Sequence, residues 1–354
     1  MLRIKREGIL CLLSACSACV CACNGTFVGR LSYAPQASIP LTSYSATGDV
    51  SPVLDPSIMR QGPTYYAFST DVAGSPGNAH LSIRCSQDEI QWRSCGSVFP
   101  GAIPAWIASD VPRAVGLWAP DISYFNGLYH VYYCASTLDS NRSVIGLATN
   151  TTLDPADPAY KWIDRGLVLE SKTSDDFNAL DPAVLVDGDG SVWLTYGSYW
   201  TGIKQQQIDP RTGLLLASNP ARYDLATRPG VPYNPIEGPS LIRHGNYYYL
   251  FVSVDFCCET NPAEDNYKEA VGRSTSPHGP FIDEAGTPML NGGGTVLIEG
   301  NTAWNAPGGG TAYIDASTGE SLLIFHAQNL SEGGTPFQWL KKLEWVNDWP
   351  VIGD

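Results

Sequence analysis

Residues 236–251 read "IEGPSLIRHGNYYYLF". A carboxylate and a Gly-Pro step lead into an apolar run, a short polar turn and a second run rich in aromatics. The phrase recurs with Asp at its head, as "DPSIMRQGPTYYAFST" over 55–70 and "DPAVLVDGDGSVWLTY" over 181–196. Two further copies are "WAPDISYFNGLYHVYYCAST" from 118 and "APGGGTAYIDASTGESLLIFHAQN" from 306. The heads Asp55, Asp121, Asp181, Glu237 and Gly309 stand 56 to 72 residues apart. Each copy is a strand, a turn of Gly, Asn or Asp, and a second strand, which is the signature of a β-hairpin. The rest of each repeat has room for two more strands and a loop. Five units of four strands predict an all-β chain folded as a five-bladed β-propeller. No long segment carries a helical period, which argues against βαβ architecture. Two β-sandwich domains are the alternative; no linker or composition shift divides the chain to favour it.

The bulk composition agrees. The chain has 354 residues, 44% hydrophobic and 16% charged, enough apolar content for a large core. Aromatics make up 11%, with 35 Gly and 26 Pro, a balance that suits short strands and turns. A net charge of -14 argues against a nucleic-acid partner, whose phosphates need a basic face. The first residues, "MLRIKREGILCLLSACSACVCACNG", run from basic to apolar to small, the order of a secretory signal. The expected division is a signal over 1–22, an extension over 23–45 and a propeller over 46–354. Secretion is the expected destination, with a lipid anchor through Cys23 as the alternative. The apolar run is shorter than the roughly 20 residues a membrane-spanning helix needs.

Outside that segment stand Cys85, Cys95, Cys134, Cys257 and Cys258. Cys85 and Cys95 flank a short polar loop and are candidates for a bridge across a hairpin. Cys134 lies in an apolar strand and reads as a buried thiol. Cys257 and Cys258 read either as a vicinal disulfide or as two thiols. Asn141, Asn150 and Asn329 each head a glycosylation sequon.

In a propeller the inner strands face one channel, so equivalent heads converge. For any single Asp-Pro, a turn cap is the ordinary explanation. Three carboxylates at matching positions repel one another, and such a cluster is costly unless it is used. Inverting glycoside hydrolysis uses such a set: a carboxylate base activates water, and a carboxylic acid protonates the leaving oxygen. A third carboxylate beside the acid raises its pKa. Glu237, one methylene longer than its Asp counterparts, has the reach of a leaving-group acid.

Here the chain resembles a known family. The runs "LDPSIM", "LWAPDISYFNGLYHVYY", "DDFNALDPAVLVDGDGSVWLTYGSYWTGIK", "EGPSLIRHGNYYYLFVSVDFCC" and "LLIFHAQN" are similar to those of glycoside hydrolase family 43, nearest its endo-1,5-α-L-arabinanases. The resemblance runs from about Val50 to the C-terminus. It implies a propeller, inversion, and arabinan or arabino-oligosaccharides as substrate, with a monomeric enzyme expected. It implies Asp55 as general base, Asp181 as the carboxylate that tunes the acid, and Glu237 as general acid. Asn178, Ala179, Leu180, Gly197, Ser198 and Tyr199 match segments lining the sugar subsite. Trp118 and Trp200 are candidate stacking surfaces, although core packing is the commoner use of a Trp. His326 matches a position that helps hold a calcium or similar ion in the channel, whereas a His on a strand is otherwise a hydrogen-bonded core residue. No organic cofactor is expected. Asp121 resembles a structural residue. The chain departs from the family pattern at Leu54, at Ala306–Pro307–Gly308–Gly309 and at Leu138–Asp139. Alternatives on the same fold are an exo-acting α-L-arabinofuranosidase or β-xylosidase, and a non-catalytic glycan-binding propeller.

Overall fold

The computed structural model describes residues 39–72, 79–114, 116–258 and 261–353. Two short strands come first, β1 (Ile39–Pro40) and β2 (Thr47–Gly48). The first blade is β3 (Ser57–Gln61), β4 (Thr64–Ser69), β5 (Ala79–Ser86) and β6 (Gln91–Pro100). After a six-residue helix, α1 (Ala105–Asp110), comes the second: β7 (Trp118–Phe125), β8 (Leu128–Ser136), β9 (Ser143–Asn150) and β10 (Ile163–Ser171). The third is β11 (Ala183–Val186), β12 (Val192–Tyr196), β13 (Ile203–Ile208) and β14 (Tyr223–Ala226). The fourth is β15 (Ile236–His244), β16 (Tyr247–Val254), β17 (Lys268–Ser274) and β18 (Thr295–Glu299). The fifth is β19 (Trp304–Ile314), β20 (Ser321–Asn329), β21 (Thr335–Val346) and β22 (Trp349–Ile352). Within each blade the strands pair antiparallel in chain order.

The ring is visible in the innermost strands. β3 packs on β7, β7 on β11, β11 on β15, β15 on β19, and β19 returns to β3. The expected five-bladed propeller is therefore present, with the five repeated phrases as the inner hairpins.

Five apolar clusters fill the five seams between blades, and the second strand of each blade serves two of them. Tyr249 and Phe251 of β16 face blade five, while Tyr248, Leu250 and Val252 face blade three. Leu323 and Phe325 of β20 face blade four, while Leu322 and Ile324 face blade one. Successive side chains of a strand point to opposite faces, so a strand buried on both sides must be apolar throughout. That is why "YYYLFV" and "SLLIF" look continuous instead of alternating with polar residues.

The residues before the first blade strap the ring. β1 pairs in parallel with β18 of blade four, and β2 pairs in parallel with β6 of blade one. Between them the Tyr44 ring packs against Trp304, Phe337 and Trp339 of blade five. Residues 39–45 are thus part of the packed propeller. The boundary expected at residue 46 falls inside this strap, because a polar stretch gives no sign of backbone pairing made with distant strands. The expected signal over 1–22 and Cys23 lie outside the described residues.

Cys85 is bonded to Cys95, Cys257 is bonded to Cys258, and Cys134 is free and buried. Two of the three sequon asparagines, Asn141 and Asn150, are buried. Asn141 donates to the carbonyls of Asp175 and Phe177, so neither is open to a glycan in the folded protein without disruption.

Candidate active site

The inner strands deliver the heads to one end of the channel. Asp55 lies two residues before β3, Asp181 two residues before β11, and Glu237 is the second residue of β15. Asp55 and Asp181 both have left-handed backbone, φ 44° and 52°, which Asp tolerates better than most residues. Non-glycine residues in such conformations cluster at functional sites. All three carboxyls line one cleft of about 1700 Å³, larger than the roughly 300–1,000 Å³ of most small-molecule sites. Each is half-buried, open to the cleft and enclosed by protein on its other sides.

Asp55 Oδ2 accepts the Thr70 hydroxyl at 2.6 Å, and Thr70 in turn accepts the Ala119 amide at 2.8 Å. This ties Asp55 to the entrance of blade two. Enclosure by protein pushes its carboxyl up to about 6, against the pull of Thr70. The fifth head, Gly309, stands so close that a Cβ there would lie 2.4 Å from Asp55 Oδ1. Its φ of 58° is also left-handed. The one head without a carboxylate is glycine because both space and backbone require it.

Glu237 accepts two hydroxyls, Ser198 on Oε2 at 2.7 Å and Tyr267 on Oε1 at 2.9 Å. Burial raises its pKa, these hydroxyls oppose the rise, and the charge of Asp55 adds to it. Asp181 Oδ2 accepts the Gly238 amide at 3.1 Å, which sets it one peptide unit from Glu237. Burial first, then the charges of Glu237 and Asp55, hold Asp181 well above the usual carboxylate range. Ionising one of these neighbouring carboxyls disfavours ionising the next.

Asp121 is elsewhere. It is buried, and its Oδ2 accepts the Val184 amide at 3.0 Å, joining the inner strands of blades two and three. Burial pushes its carboxyl up to about 8.

Of the other expected site residues, Trp118, Leu180, Ser198, Tyr199 and Trp200 line the cleft. Asn178 reaches its edge but is 2% exposed, with Oδ1 accepting the Ser143 hydroxyl at 2.6 Å. Ala179 and Gly197 do not face it. Ala179 is packed in the seam between blades two and three. The Gly197 amide donates to the Leu180 carbonyl, and a Cβ at Gly197 would meet the Gly202 oxygen at 2.4 Å. A contiguous motif cannot be wholly functional when the chain alternates between cleft and core.

His326 lies beneath Asp55, 1% exposed. Burial lowers its pKa to about 4, so the ring is neutral. The Asp55 amide donates to Nδ1 at 3.2 Å, which leaves the ring hydrogen on Nε2, facing Cys257 Sγ at 3.8 Å. A nitrogen carrying hydrogen has no lone pair for a metal. Among the described residues no group of three or more His, Cys, Asp or Glu is arranged to hold an ion. Calcium seeks six to eight oxygens, so an ion at His326 would need water oxygens to complete its shell.

Two contacts escaped the sequence reading. Thr70 had a faint signal, a polar residue closing the apolar run "YYAFS". Tyr267 had none, because it lies outside every repeated phrase, just before β17, and reaches Glu237 only once the strands of blade four pair.

Residues 51–350 match the family described as "Glycosyl hydrolases family 43". The chain is 37% identical over 297 residues to the extracellular endo-alpha-(1->5)-L-arabinanase 1 of Bacillus subtilis, covering 84% of this chain and 86% of that protein. It is 35% identical over 326 residues to the extracellular exo-alpha-(1->5)-L-arabinofuranosidase ArbA of Cellvibrio japonicus, covering 85% and 86%. Among solved structures, the Cellvibrio cellulosa alpha-L-arabinanase complexed with arabinohexaose superposes with a TM-score of 0.77 at 35% identity, over 85% of this chain and 95% of that one.

Proposed function

This chain belongs to glycosyl hydrolase family 43, and from that premise we propose that it is a secreted enzyme that cuts the α-1,5 links of arabinan within the chain, with inversion. The observation that carries the reading is the convergence of Asp55, Asp181 and Glu237, from three blades, in one cleft where all three hold protons more tightly than usual.

The division of labour follows from surroundings. Asp55, held by the Thr70 hydroxyl, is ionised above about pH 6. In that form it removes a proton from water as the water attacks the anomeric carbon. Glu237, longer and turned toward Ser198 and Tyr267, gives its proton to the departing glycosidic oxygen. Asp181, set against Gly238 beside Glu237, makes ionisation of both carboxyls together unfavourable, so the neighbouring pair keeps a proton for Glu237 to deliver.

Endo cleavage is supported by the size of the cleft, which exceeds what one furanose needs, and by the Bacillus subtilis relative. The Cellvibrio japonicus relative, named as exo-acting at similar identity, keeps the exo reading as the competing outcome. Time-resolved chromatography of linear α-1,5-arabinan digests tests both. Mixed short oligosaccharides at early times fit the endo reading. Arabinose alone from the first minutes overturns it in favour of exo action, and binding without cleavage overturns catalysis. Proton NMR of freshly released product should show the anomer opposite to that of the substrate. Secretion is supported by the names of both relatives; N-terminal sequencing of protein from culture medium should begin near residue 23.

A further inference from the structure

Blade four carries another acidic residue that these steps leave unused. Glu269, in β17, is fully buried. Strand register places it opposite Ser253 of β16, and Ser253 opposite Glu237 of β15. The Ser253 hydroxyl donates to Glu269 Oε2 at 3.1 Å and accepts the Gly309 amide at 2.8 Å. This short relay leaves blade four and ends on the glycine that abuts Asp55 Oδ1 and the His326 ring. The contact is close: a Cβ at Gly310 would lie 2.9 Å from Glu269 Oε2. Glu269 Oε1 has no hydrogen-bond partner.

A buried carboxyl with one oxygen unsatisfied costs stability, and an apolar residue of similar volume would fill the space without that cost. The acid must therefore be accounted for by what it does hold, the Ser253 hydroxyl and the Gly310 amide next to Gly309. We propose that Glu269 is a positioning residue that acts through Ser253 to fix the Gly309 backbone against Asp55. The inference rests on the reading of Asp55 as the base. Burial pushes the Glu269 carboxyl up to about 8, so the group works as a neutral acid around neutrality. A neutral acid accepts the Ser253 hydroxyl without adding another negative charge to the channel wall.

The test compares Glu269→Gln, Glu269→Leu, Ser253→Ala and the Ser253→Ala/Glu269→Leu double variant on linear arabinan, with kcat, KM and melting temperature measured for each. Glu269→Gln mimics the neutral acid and should keep most of the wild-type kcat. Glu269→Leu and Ser253→Ala should lower kcat by about 10- to 100-fold with KM little changed, the scale of a reacting group displaced by about 1 Å. The double variant should be no worse than the worse single. A wild-type kcat in Ser253→Ala, a loss confined to KM, or additive losses in the double variant overturns the proposal. If Glu269→Leu does not fold, Ser253→Ala still decides. Asp55→Asn in the same series tests the parent reading alone. Should its rate be undiminished, the crystal structure of Ser253→Ala remains the readout, and an unmoved Gly309 overturns the relay.

Discussion

At the residue scale, one type of side chain does different work according to its neighbours. Asp55, Asp121 and Asp181 head equivalent phrases, yet one meets a hydroxyl, one a backbone amide across a seam, and one an amide beside Glu237. Since the base must be ionised, kcat/KM should rise with pH through about 6, the value to which Asp55 is raised. Rate profiles on arabinan check this, and a flat profile between pH 5 and 7 contradicts it. Glu237→Gln should lose about 10²–10⁴-fold on arabinan, the usual worth of positioned proton transfer. The loss should shrink on an aryl arabinoside whose leaving group needs no proton. Asp181→Asn removes one of two neighbouring carboxyls that disfavour each other's ionisation, so the higher of the pair's two ionisations disappears and the alkaline limb should move toward acid.

At the element scale, the blade is not a self-sufficient unit. Each second strand is shared by two seams, so its stability depends on both neighbours. The strap over 39–48, ahead of the first blade, extends the same logic, with Tyr44 wedged among Trp304, Phe337 and Trp339. Tyr44 Oη is buried without a partner. Tyr44→Phe should therefore be as stable as wild type or slightly more so, since it deletes an unsatisfied hydroxyl. Tyr44→Ala should lose about 3 kcal/mol, as for other large-to-small aromatic changes. Denaturant unfolding measures both, and an indifferent Tyr44→Ala would show that the strap does not hold the ring.

For the whole molecule, buried acids set the pH dependence of stability. Asp121 and Glu269 are each raised to about 8 in the fold. Between about pH 4, where an unfolded carboxyl ionises, and about pH 8, the native state binds more protons than the unfolded one. Stability from these groups is full below that window and falls as pH rises through it. The net charge of -14 near neutrality adds self-repulsion in the same direction. Asp315, held far below the usual range with Arg60 and Ser317 as partners, works oppositely and loses its contribution in acid. The melting temperature should peak on the acid side of neutrality and decline toward pH 8. Asp121→Asn, whose amide oxygen still accepts from Val184, should flatten that decline; an unchanged slope would count against the assignment.

The sequence by itself determined the blades. A hairpin is local, its turn residues and apolar periods are written contiguously, and five spaced copies leave few folds that bury them all. The carboxylate heads were legible for the same reason, because equivalent positions in a cyclic repeat must meet at the channel. What lies between blades was left to the tertiary structure. The strap pairs backbone with strands some 45 to 260 residues away. Thr70, Tyr267 and Glu269 acquire their partners through strands paired within one blade but separated in the chain, and Ser253 reaches Gly309 only when blades close on one another. Ala179 and Gly197 sit inside a matching motif yet turn from the cleft, because which face a side chain takes depends on the strand's packing. His326 shows the limit most clearly: its place in "LLIFHAQN" fixes which strand it rides on, but which nitrogen carries the hydrogen is decided by the Asp55 amide from another blade. Local pattern specifies elements; hydrogen bonds and charge balance between distant elements specify chemistry, and those exist only once the ring is closed.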